Sequence, residues 1–127
     1  MNYLQKTIDE MVEFTLCIGS LDCGYDCINI KKKSSSNIKV NVVDKKSDYL
    51  GSMTEEDFEK FKKKLFKYVK NWKLTYNNID VLDGIKWSVD IVGTTTNISF
   101  SGCNKYPLNW RSFFRFAKGS KLTSTIK

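Results

Sequence analysis

A chain of 127 residues is long enough for one domain with a core of its own, and its 41% hydrophobic and 13% aromatic content supplies the apolar surface that offsets ordering entropy. A single proline, Pro107, and seven glycines exclude a loop-dominated or low-complexity protein. The formal charge is +7, and all 21 basic residues except Arg111 and Arg115 are Lys. Such an excess favours an acidic partner, while scarce Arg argues against sequence-specific DNA readout, which relies on bidentate guanidinium contacts. The Lys, Asn and Ile usage also fits a host with an AT-rich genome.

Taken in chain order, Leu4, Ile8, Met11 and Val12 form one helical stripe over Tyr3 to Val12. Phe14 to Ile18 reads as a strand, Gly19 to Asp26 as a turn-rich connection, and Cys27 to Ile30 as the returning strand of a hairpin. The polar run Lys31 to Ser36 interrupts the pattern, after which Ile38, Val40 and Val42 alternate with polar residues as a third strand. The strongest helix spans Glu55 to Trp72. Thr54 stands at the N-cap, acidic residues fill the first turn, and Phe58, Phe61, Leu65, Val69 and Trp72 form the apolar face.

Thr75 to Asp83 reads as a polar connection. Ile85, Trp87, Val89 and Ile91 then alternate as a half-buried strand, Gly93 begins a turn, and Ile98 and Phe100 carry the returning strand. Gly102 to Tyr106 is expected as a loop, and Pro107 as the first residue of a helix with Trp110, Phe113, Phe114 and Ala117 inward. Gly119 is expected to end that helix, with residues 120–127 a flexible tail. The expected fold is one α+β domain over residues 1–127, with an antiparallel sheet of about five strands in two hairpin units and helices mainly on one face.

Histidine is absent, which removes Ser-His-Asp and Cys-His triads and most catalytic zinc sites. No glycine spacing fits a phosphate-binding loop. Cys17, Cys23 and Cys27 lack the paired C-x2-C spacing of structural zinc, so metal is not expected, and Cys17 and Cys27 read as small core residues. Cys103, ahead of a helix N-terminus, is the one candidate nucleophile. Asp80, Asp83 and Asp90 read as turn and exposed-strand residues rather than a carboxylate pair. The start of the chain is interrupted by Gln5, Lys6, Asp9 and Glu10, and no apolar run approaches the roughly 18 residues of a membrane span. A cytoplasmic protein with no membrane contact, no cofactor and reduced thiols is therefore expected.

The functional signal is the basic faces. Lys60, Lys63, Lys64 and Lys67 lie opposite the apolar stripe of one helix, and Arg111, Arg115 and Lys118 opposite that of another, with Lys31 to Lys33 available to extend them. A solvated charged face accounts for the same pattern. The aromatics fall on core faces and are not interleaved with the lysines, as an RNA-stacking platform would need.

The stretches Leu82-Asp83-Gly84-Ile85-Lys86-Trp87-Ser88-Val89-Asp90-Ile91 and Phe100-Ser101-Gly102-Cys103-Asn104-Lys105-Tyr106-Pro107-Leu108-Asn109-Trp110 carry a resemblance. They are similar to small uncharacterised proteins of low-GC Gram-positive bacteria and their phages, with a D-G-x-x-W strand and a G-[SC]-N-x-Y-P-x-N-W turn. The resemblance implies a structural signature, with Trp87 in the core, Pro107 starting a helix and Asn104 tying down a loop, and it transfers no catalytic residue. The expected function is a non-enzymatic intracellular binding protein that engages an acidic protein partner through Lys60, Lys63, Lys64, Lys67, Arg111, Arg115 and Lys118, as immunity and phage counter-defence proteins do. The alternatives are nucleic-acid or nucleotide binding through the same lysines, and an enzyme using Cys103.

Overall fold

The computed structural model describes residues 2–20, 24–43, 48–77 and 84–125; of Asn2, Tyr49 and residues 119–125 it describes the backbone. Cys23, Asp80 and Asp83 lie outside the described residues. The elements in order are α1 (Asn2–Asp9), β1 (Met11–Ser20), β2 (Gly24–Ser34), β3 (Asn37–Val43), β4 (Asp48–Ser52), α2 (Glu55–Val69), β5 (Thr75–Asn77), β6 (Lys86–Gly93), β7 (Asn97–Cys103) and α3 (Trp110–Thr125). The strands form one sheet in the order β4-β3-β2-β1-β6-β7-β5. Every pairing is antiparallel except β5 with β7.

The α+β class and both hairpins are as expected from sequence, but the sheet has seven strands rather than five. The two additional strands are its edges. β4 has no apolar alternation, and β3 organises it through pairs such as Asn41 with Leu50. Three-residue β5 is held by its register on β7, with Tyr76 packed 6.0 Å from Trp87. Edge strands answer to one neighbour and need not carry a periodic signal of their own.

Register places Phe14 opposite both Ile30 and Ile91, and Leu16 opposite both Ile28 and Val89. The pairs Ile28–Val42, Ile30–Val40 and Val89–Phe100 continue the same face. This inner face and the apolar sides of all three described helices form one core, including Leu4, Ile8, Phe58, Leu65 and Phe113. The opposite face is polar, with Asn41, Asn29, Thr15, Asp90 and Ser99 in one row across five strands. A sheet with one packed and one wet face is the usual antiparallel solution.

Several boundaries differ from the sequence reading. α1 stops at Asp9, because Met11 is required in the core at the start of β1, where it is 2% exposed. Lys62 Nζ donates to the Asp9 carbonyl at 2.7 Å and so caps that helix end with a cation. β2 runs through the lysines to Ser34, since pairing with β3 satisfies its backbone whatever the side chains. Gly102 and Cys103 belong to β7 and not to a loop. Pro107 is buried ahead of α3, its carbonyl accepting from Trp110 N at 3.0 Å, and α3 passes Gly119 to Thr125. Glycine costs a helix interior only about 1 kcal/mol, too little to stop one that packs on the sheet. α2 begins where expected, with Thr54 Oγ1 accepting from Asp57 N at 3.1 Å.

Reduced thiols throughout is corrected for one pair. Register sets Cys17 directly opposite Cys27, with Cα atoms 4.1 Å apart, and the two form a disulfide across β1 and β2. Closing this short loop is expected to stabilise the fold by about 2–3 kcal/mol. Urea unfolding with and without reductant checks this, and mass spectrometry under non-reducing conditions reads the bond.

Candidate functional site

α2 and α3 lie side by side and run antiparallel on the inner face of the sheet. Phe61 stacks on Phe116 with centroids 4.9 Å apart, Tyr68 meets Phe116 at 5.0 Å, and Trp72 meets Phe113 at 4.8 Å. Lys60, Lys63, Lys64, Lys67, Arg111, Arg115 and Lys118 are all exposed. On α2, Lys64 lies between Phe61 and Tyr68 in the i+3, i+4 sense, so it borders the seam with α3, and Lys60 and Lys67 follow on that side. Lys62 takes the other side, toward α1. On α3, Lys118 and Arg111 share the Phe114 flank, which is turned away from α2, and Arg115 points outward between the flanks. The pair of helices therefore presents α2 lysines and Arg115 together, with Arg111 and Lys118 beyond them. Lys60 meets Glu56 at 3.6 Å in an exposed pair; among the described residues Lys63, Lys64, Lys67, Arg111 and Arg115 form no ion pair. Lys32 makes no common face with them, for it is engaged by Glu55 at 3.2 Å and sits 5.5 Å from the Phe58 ring centre.

The motif residues are occupied structurally. Asn104 adopts a left-handed conformation (φ 54), and its Oδ1 accepts from Ile85 N at 2.9 Å. A Cβ at Gly84 would collide with the Asn104 amide, and one at Gly102 with the Trp87 indole. Trp87 Nε1 donates to the Lys105 carbonyl at 2.9 Å. Asn109 accepts from Trp72 Nε1 at 2.8 Å and donates to the Tyr68 carbonyl at 2.9 Å, joining the end of α2 to the start of α3. Glycine, asparagine and tryptophan at these spacings thus build a corner of the fold.

The Glu10 carboxylate accepts from the side chains of Thr94, Thr95 and Thr96 and from Thr95 N at 3.1 Å, which ties the β6–β7 turn to the end of α1. These bonds, Thr94's the largest, hold its pKa below the usual Glu value, and Lys32 does the same for Glu55. A carboxyl with a lowered folded-state pKa contributes stability above its unfolded pKa and loses it as pH falls through the folded value. The urea midpoint is therefore expected to drop as pH falls below about 4.5, and Glu10→Gln to flatten that drop.

Cys103 is half-buried on the polar face, opposite Lys86 on β6 and Asn77 on β5. Burial, and secondarily the Cys103 thiol, push the Tyr106 hydroxyl above its ordinary pKa. Cys17 and Cys27 are bonded to one another, and among the described residues no group of three or more His, Cys, Asp or Glu could hold a metal ion. Nor is any described helix long and apolar enough to cross a membrane.

Sequence reasoning missed Asp26. The alternation of β2 carried back from Ile28 puts it on the inner face opposite Ile18, and it lines a cavity of about 80 Å³ between the sheet and α3. No family model and no curated protein matches this chain.

Proposed function

We propose that the protein is a non-enzymatic binding protein that engages an acidic protein partner through Lys60, Lys63, Lys64, Lys67 and Arg115, with Arg111 and Lys118 at the margin. The observation that carries this reading is the side-by-side packing of α2 and α3, which leaves these cations exposed on adjoining helices, most of them without a carboxylate partner among the described residues. A surface of one sign accelerates the approach of an opposite one and penalises like-charged competitors. An immunity or counter-defence role suits a module of this kind. A cytoplasmic location belongs to the same reading, although the Cys17–Cys27 bridge pulls toward an oxidising compartment, where disulfides persist.

Tagged protein in nuclease-treated extract is expected to retain an acidic protein that moderate salt releases. Fluorescence anisotropy with short RNA and DNA duplexes runs beside it. Binding to them with a steep salt dependence and no sequence preference would replace the protein partner with nucleic acid. Rapid labelling of Cys103 by a thiol probe at neutral pH would instead favour an enzyme.

A further inference from the structure

We infer that the cleft between α3 and the β1–β3 end of the sheet binds a free α-amino acid with a short aliphatic side chain. Of the described residues on the inner face of the sheet, two strand positions are charged. Lys32 at one end is answered by Glu55. Asp26 at the other end is not: its Oδ1 is buried and, among the described residues, accepts no hydrogen bond. A buried carboxylate oxygen without a donor is costly, and the side chain that carries it also lines a cavity.

The cavity has the shape of a site for a zwitterion. Among the described residues its uncharged walls are Leu16, Ile18, Cys27, Ile28, Val42 and Phe114. Its charged groups are Asp26 on β2 and Lys118 on α3, one of each sign and from opposite layers. Lys118 Nζ lies 5.2 Å from the centre of the Phe114 ring and within no carboxylate's reach among the described residues, so it too is available. A bare amine would satisfy Asp26 but face the Lys118 ammonium, and a bare carboxylate would do the reverse. A ligand carrying both charges on adjacent carbons, with an aliphatic body for the walls, answers Asp26 and Lys118 at once. A volume near 80 Å³ holds roughly six water-sized groups at about 10–15 Å³ each, which suits a small ligand on the scale of valine. This binding goes beyond the partner contact proposed above, and its test uses no partner.

The test is a methyl-resolved NMR titration of the whole chain with L-valine, with isobutylamine (valine without its carboxylate) and with isovalerate (valine without its ammonium). Valine is expected to shift the Leu16, Ile18, Ile28 and Val42 methyl signals with a dissociation constant of roughly millimolar order. Each analogue, and each of the variants Asp26→Asn and Lys118→Met, is expected to bind about tenfold more weakly or worse, since each lacks one charge-assisted contact. Absence of shifts up to about 20 mM valine overturns the site. So does an analogue that binds as well as valine, or a folded variant that keeps the affinity. Should a variant not fold, the three-ligand comparison on the unaltered chain decides.

Discussion

Truncating Trp87 to Ala is expected to lower stability by about 3–5 kcal/mol, the range for a large aromatic removed from a packed core. Trp87 is 2% exposed and lies at the centre of an aromatic cluster, with Trp110 at 4.6 Å, Trp72 at 5.8 Å, Tyr76 at 6.0 Å and Tyr106 at 6.4 Å between ring centres. Those rings come from the turn just past α2, from β5, from α3 and from the segment before α3, so a cavity at Trp87 is bordered by four separate pieces of chain. Loss of the indole also strips the Lys105 carbonyl of its donor. Phe61→Ala should fall in the same range, because Phe61 bridges Phe14 of the sheet at 5.0 Å and Phe116 of α3 at 4.9 Å. Urea titration followed by circular dichroism measures both. A Trp87→Ala midpoint close to that of the parent would mean that the cluster is not the centre of the core.

Reversing Lys63, Lys67 and Arg115 to Glu together is expected to leave stability within about 0.5 kcal/mol per site, since all three are exposed and none forms an ion pair among the described residues. Partner affinity should fall at least about tenfold, mainly through the association rate, because the long-range field that steers encounter is largely cancelled. The remaining dependence on salt should weaken as well, for fewer charges are left to screen. Surface plasmon resonance over a range of salt concentrations separates the two effects. A triple variant that binds the partner as the parent does would show that these cations only solvate the helices, and would move the search to the polar face of the sheet.

The elements legible in the amino-acid sequence share one property: each carries its own signal. α2 announces itself through Thr54, its acidic first turn and the spacing of Phe58, Phe61, Leu65 and Val69, and the structure buries all four apolar residues. β6 alternates cleanly from Trp87 to Ile91 and is buried at alternate positions. Where the signal is borrowed, sequence reading fails. β4 and β5 are strands because β3 and β7 hold out unpaired backbone groups, and the Lys31 to Ser34 stretch is a strand for the same reason. The spacing of Met11 to Leu4 and Ile8 is helical, yet the sheet claims it, and the chain turns at Glu10.

The candidate sites divide in the same way. The seven cations are readable as a residue class opposite apolar stripes, because amphipathic spacing alone puts them in water. Which of them face together is not readable, since that follows from the rotation of α2 against α3, set by Phe61, Tyr68 and Trp72 meeting Phe113 and Phe116. Asp26 lies in a stretch that reads as a turn, and its place beneath α3 emerges only once β2 is extended and α3 is laid over it.

By itself, then, the amino-acid sequence determined the class of the fold, the inward face of each periodic element and the excess of basic residues, because these follow from local spacing and from composition. The tertiary structure decided the number of strands, the union of Cys17 with Cys27, the corner built by Gly84, Trp87, Gly102 and Asn104, and the cleft beneath α3. Those features depend on which distant segments become neighbours, and register and helix packing, not local pattern, settle that.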